Sequence, residues 1–159
     1  VNQEPTNHAL RDIAAFFIQK YYSKIKISDN IHILGNVSLV EFNKLLQESS
    51  IVMLPLNTDA PAGLIVIFQA ASQQKTVITT STPVTKEYID NKTGVLCENN
   101  IDQFRKEIEY HLQHPDIAKA KGKALYNKLR SECSKELYTS KLYNILLHNE
   151  NRIGHTCIL

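Results

Sequence analysis

The stretch LPLNTDAPAGLIVIFQAASQQKTVITTSTPVTKEYI, Leu54 to Ile89, holds one glycine, Gly63, where a polar loop turns into an apolar helix. The first turn of a helix has unpaired N–H groups and a partial positive charge, so such a tip attracts an anion, above all a phosphate. A residue without a side chain lets that ligand come close to the backbone. The same glycine also fits a plain turn before a crossover helix, and one glycine is a weak motif. Gln69 interrupts the apolar run that follows. Its amide can donate and accept hydrogen bonds, though a polar residue at the edge of a half-buried helix reads the same way. Thr80, Ser81 and Thr82 could donate to a phosphate or a nucleobase, and a run of hydroxyls is also common turn chemistry. Glu87 is expected in the turn from loop to helix after STPVT, facing the strand ends or serving as an N-terminal helix charge.

These residues need elements to position them. Asn7 to Lys26 places Leu10, Ile13, Ala14, Phe17, Ile18, Tyr21, Tyr22 and Ile25 at helical spacing. IHILG reads as a short strand ending at Gly35, and Ser38 with Glu41 three positions on reads as a capping box. In the helix that follows, Leu39, Phe42, Leu45 and Leu46 form the expected buried face. IVMLPL is apolar throughout, as strands covered on both faces tend to be. Then come a helix over about Leu64 to Gln73, the strand TVITT, a short helix in TPVTKEYIDN and the strand GVLC. From Asn100 the pattern is helical, with stops near His114-Pro115 and Cys133. Strands alternating with helices predict an α/β fold, a Rossmann-like doubly wound parallel sheet followed by C-terminal helices. Residues 1–150 read as a single partial domain and 151–159 as an irregular tail. In such sheets ligands bind beyond the carboxyl ends of the strands, where NTDAPAGL falls.

Composition narrows the partners. The chain has 159 residues, 43% of them hydrophobic and 21% charged, with a net charge of +2. The lysines are spread over amphipathic segments without a basic stripe, so nucleic acid is not an expected partner. The three cysteines, Cys97, Cys133 and Cys157, form no CxxC pair, and no clustered Cys and His offer a zinc site. His111 and His114 can share a helix face but have no carboxylate in a convincing metal or nucleophile arrangement. No apolar stretch is long enough to span a bilayer. A reducing, cytoplasmic setting is expected, free or peripheral at the membrane in a longer parent protein. Val1 opens on a polar lead without an initiator Met, and the sequence reads as part of that longer protein.

From Ile31 to about Leu112 the order of features resembles the carboxyl-terminal, donor-binding half of family 4 (group 1) glycosyltransferases of the GT-B architecture. The features are a strand ending in Gly, a strand ending in Leu-Pro, a Gly-Leu helix closing on Ala-Ala, a strand of the Pro-Val-Ile type, and EYIDNKTGVL. The resemblance implies transfer of a sugar from a nucleotide diphosphate donor to a hydroxyl acceptor, a growing polysaccharide or a lipid-linked sugar. It implies that the amides of Gly63 and Leu64 hold the donor diphosphate, and that Gln69 occupies the position whose acidic residue holds the ribose. The family's paired glutamates lie eight apart, but Pro61 stands eight before Gln69, which leaves Asp59 as the nearby carboxylate that can substitute. Thr82 and Glu87 complete the expected donor-binding set; the catalytic residue is left unassigned, and no metal or other cofactor is expected. The resemblance further implies that two strand–helix units, bearing the Arg and Lys that neutralise the diphosphate, and the acceptor-binding domain lie outside this sequence. The chain alone is therefore expected to have little activity. The departures at Pro61 and Gln69 leave open a catalytically degenerate or non-catalytic nucleotide-binding module of the same fold.

Overall fold

A computed structural model describes residues 31–32, 34–35 and 37–153, without the side chains of 148–153. The helix expected from Asn7 to Lys26 lies outside the described residues, as does Ile33. By internal contacts the chain falls into two units, 1–44 and 45–159. In the first, Ile31, His32, Leu34 and Gly35 are not in a strand, contrary to the reading of IHILG. A strand exists only through the hydrogen bonds of a neighbour, which an apolar run does not itself supply. Helix α1 (Leu39–Glu48) begins as its sequence dictates. The Ser38 amide donates to Glu41 Oε2 at 2.8 Å and the Glu41 amide to Ser38 Oγ at 3.2 Å. Both bonds hold the Glu41 carboxyl below its ordinary pKa. Of the apolar face expected on α1, Leu46 is buried and Phe42 half-buried, while Leu39 and Leu45 are exposed.

The second unit carries a three-stranded parallel sheet in the order β1 (Ile51–Leu54), β2 (Thr76–Thr80), β3 (Val95–Cys97). Ile51 pairs with Thr76, and Ile78 with Val95. All five residues of β2 are buried, as expected of a central strand rich in β-branched side chains. By contrast β1, read as covered on both faces, is the outer strand of the described sheet, with Met53 51% exposed. Helix α2 (Leu64–Ser72) links β1 to β2, and the six-residue α3 (Pro83–Tyr88) links β2 to β3. Then follow α4 (Ile101–Gln113), α5 (Pro115–Glu132) and α6 (Lys135–Ile153). Helix α6 runs beyond the expected boundary at 150.

Side chains on a strand alternate between faces. On one face Ile51, Ile78, Val95 and Cys97 pack with Phe104 and Ile108 of α4. Burial there, and then the nearby Glu107 carboxylate, push the Cys97 thiol up to about 11, so it is an inert core group. Helix α2 buries Ile67, Ala70 and Ala71 and touches β2 and α5. It ends in a left-handed residue, Gln74 (φ 54°), with the Lys75 amide returning to Ala70 O at 2.9 Å. Gly122 of α5 packs directly on this turn, and a Cβ there would collide with the Gln74 carbonyl.

Lysines fasten the loops. Lys75 Nζ donates to Gln47 O at 2.6 Å and Ser49 O at 2.9 Å, satisfying carbonyls at the end of α1. Lys121 of α5 donates to Asn91 O and, at 3.1 Å, to Gly94 O in the loop before β3. In that loop burial works to raise the Asp90 pKa. The Lys92 amide, the Lys128 ammonium at 3.2 Å, and the hydroxyl and amide of Thr93 outweigh it and pull the pKa to about 2.

Two outcomes test this packing. Gln74→Gly relieves the left-handed strain and raises stability by about 0.5–1 kcal/mol, whereas Gly122→Ala costs about 3 kcal/mol, both read from urea unfolding midpoints. An Asp pKa lowered from its unfolded value of roughly 3.9 stabilises the fold above that pH, and the contribution fades as pH falls toward 2. The stability gap between the wild type and Asp90→Asn is therefore present at pH 6 and closes in acid. Because the carboxylate is partly exposed the gap is modest, and its Lys128 share shrinks in salt.

Candidate functional site

At the carboxyl ends of the three strands lies an open cleft of about 250 Å³. Leu56 to Asp59 line it after β1, Thr80 to Thr82 at the end of β2, and Glu98 and Asn99 after β3. Its floor is built by threonine. Pro55, just past β1, has no N–H to extend the ladder. Thr79 Oγ1 instead donates to Leu54 O at 2.8 Å, and Thr80 Oγ1 accepts from the Leu56 amide at 2.8 Å. On the other side the Ser81 amide donates to Cys97 O at 2.7 Å. Across the top, Asn99 Nδ2 donates to Asn57 Oδ1 at 3.1 Å, joining the first loop to the third.

The lining includes the carboxylates of Asp59 and Glu98 and no lysine or arginine. Such a wall repels free phosphate charge and suits a ligand face rich in hydroxyls, which carboxylates and amides can bind as acceptors and donors. Among the described residues no group of three or more His, Cys, Asp and Glu is arranged to hold a metal ion.

The expected site residues divide. Asp59 and Thr82 line the cleft, while Gly63, Leu64, Gln69 and Glu87 do not. Gly63 is the N-cap of α2, left-handed at φ 76° and without a side-chain cap. A Cβ on it would lie 2.6 Å from Leu54 Cδ2, the end of a side chain that can shift, so the left-handed backbone more than packing requires glycine. Thr82 Oγ1 accepts from the Thr85 amide at 3.1 Å, and Thr85 Oγ1 accepts from the Thr82 amide at 2.9 Å. The Thr82 hydroxyl thus already serves as a helix cap. Gln69 is half-buried on α2, where its backbone carbonyl accepts from Ser72 Oγ at 2.7 Å. Glu87 is the fifth of the six residues of α3 and exposed, rather than in the turn that opens the helix. Thr82 caps the helix five positions earlier than Glu87, and the dipole end nearest the glutamate is the C-terminal one. Glu98, Asn99 and Asn57 were not singled out by sequence, although Glu98 directly follows the strand read in GVLC.

A family model for glycosyl transferases group 1 matches residues 15–128, a span that includes the cleft and the start of α2. The chain belongs to the group 1 glycosyltransferases. No curated protein matches it. Among solved structures it resembles a chain described as "Crystal Structure of TarM", with a TM-score of 0.63 and 20% identity over 84% of this chain. The likeness covers 26% of the TarM chain and concerns the fold.

Gly63→Ala separates backbone strain from ligand contact. Left-handed strain predicts a loss of about 1–2 kcal/mol in unfolding free energy with no ligand present. A variant as stable as the wild type would mean that backbone strain does not explain the glycine.

Proposed function

We propose that this chain is the nucleotide-sugar-binding part of a glycosyltransferase that moves a sugar from a nucleotide diphosphate donor to a hydroxyl acceptor. The observation that carries the reading is a polar, carboxylate-bearing cleft at the carboxyl ends of a parallel sheet in a group 1 glycosyltransferase chain. That is where α/β sheets bind ligands. The lining supports a division of labour. Asp59, Glu98, Asn57 and Asn99 face the hydroxyls of the donor, while its diphosphate lies toward the amides at the start of α2, at Gly63 and Leu64. Gln69 and Glu87 are the outlying members of this donor set, with Thr82 holding the α3 end of the cleft. Catalysis in this reading is electrostatic, with amide dipoles and cations stabilising charge on the departing diphosphate. No metal is required, and the nucleotide sugar is substrate rather than cofactor.

The cations must come from outside the cleft wall, and the acceptor, a glycan or lipid-linked sugar, from a further domain of the parent protein. We place that protein in the cytoplasm; no described helix is long and apolar enough to cross a membrane. A second reading, a non-catalytic nucleotide-binding module, is favoured by Pro61 and Gln69 standing where the family has carboxylates.

Calorimetric titration tests the donor reading. Nucleoside diphosphates bind the chain, and Asp59→Asn weakens the nucleotide sugar about three- to tenfold while leaving the free nucleoside diphosphate nearly unchanged. Absence of any nucleoside diphosphate binding sinks the proposal. Sugar transfer assayed in the longer protein distinguishes the enzyme from the non-catalytic module.

A further inference from the structure

The two carboxylates of the cleft stand on opposite loops, Asp59 after β1 and Glu98 after β3, with Thr80 of the central strand between them. Both residues are exposed, and neither carboxylate has a hydrogen bond or ion pair among the described residues. Acidic groups elsewhere are engaged: Asp90 by Lys128 and Thr93, Asp102 by Arg105, Glu41 by the Ser38 amide. The rest of the cleft wall is neutral, so nothing on it offsets the pair.

The loops that carry these groups are fastened. The Asn99–Asn57 bond at 3.1 Å ties one to the other, and the Glu98 amide donates to Gln103 Oε1 of α4 at 2.8 Å. On the first loop Thr58 Oγ1 accepts from the Ala60 amide at 3.1 Å, bracketing Asp59. The acidic character of the cleft is thus built into the scaffold.

We propose that this wall selects the donor by the charge of its sugar, admitting an uncharged sugar and rejecting a uronate, with Glu98 sharing the selection with Asp59. The inference rests on the donor reading and adds to it the class of sugar. An uncharged sugar meets carboxylates with hydroxyls, which donate to them. A uronate brings a third carboxylate to a wall without a cation and has no hydroxymethyl group at carbon 6 to donate. At about 4 Å in a watery setting, one like-charge pair weakens binding roughly fivefold, and an opposite-charge pair strengthens it by a similar factor. Salt screens both effects.

The test is a calorimetric series on the full chain at pH 7.5. Uridine, adenosine and guanosine diphosphates are titrated first, and the base that binds most tightly carries three sugars differing only at carbon 6: glucose, glucuronate and 6-amino-6-deoxyglucose. Affinity rises from glucuronate to glucose to the amino sugar by about fivefold at each step, and the spread narrows in high salt. Glu98→Gln, at an exposed side chain without a bond to lose, narrows the spread about fivefold. Glu109→Gln, an exposed charge change on α4 outside the cleft, leaves it as it was. If no nucleoside diphosphate binds, the donor reading falls and this inference with it. If the diphosphate binds but the three sugars bind alike, the donor reading stands and the inference alone is overturned. A spread that persists in high salt, or that Glu98→Gln leaves intact, overturns it too, since shape rather than the charge of this wall would then select the sugar.

Discussion

Two threonine hydroxyls decide how the first strand ends. Pro55 removes the next amide from the ladder, and Thr79 and Thr80 replace the missing backbone pairing with side-chain bonds to Leu54 O and the Leu56 amide. The chain after β1 stays tethered to the central strand yet leaves its plane, and the departure opens the cleft. The same short run supplies the neighbouring element, since Thr85 Oγ1 donates to Thr80 O at 2.7 Å and Thr82 caps α3. Hydroxyls buried at such density would be destabilising if left unpaired. Here each meets a backbone group, so the central strand can be rich in threonine and remain fully buried.

Much of the scaffold was legible because its signals are local. The Ser38–Glu41 box, the TVITT strand, the α2 span and the stop at His114-Pro115 depend on residues within a few positions of one another. What failed depends on distant surroundings. Ile31–Gly35 and the outer face of α1 have the composition of buried elements, but burial requires something to be buried against. For the site, the family resemblance pointed to the carboxyl ends of the strands, and of the residues it named Asp59 and Thr82 line the cleft found there. It also attached to Gly63 a ligand role for a residue that the left-handed backbone there calls for in any case. Glu98 and Asn99 were missed because a polar residue after a short strand looks like any turn. Only the closing of the third loop onto Asn57 brings them into the cleft.

The two ends of the sheet differ in electrostatics. Carboxylates and amides gather where the strands finish, and lysines where they start. Two lysines on that side, Lys75 and Lys121, are committed to carbonyl groups. Burial lowers the Lys121 pKa, a cost offset by its bonds to Asn91 O and Gly94 O and by attraction to Glu107 and Asp90. A net charge of +2 therefore overstates the positive charge free to meet a ligand, and the cleft is locally acidic within a mildly basic chain. With that imbalance, any phosphate group brought to the cleft would need its charge neutralised from beyond the cleft wall.

Gly122 resting on the Gln74 carbonyl sets main chain against main chain where α5 crosses the start of β2. No side chain sits between them to absorb an error, so helix and strand share one rigid datum. In a chimera built with a distant relative, this crossing can be exchanged only as a block, glycine and turn together, whereas the loops at the far end tolerate separate replacement.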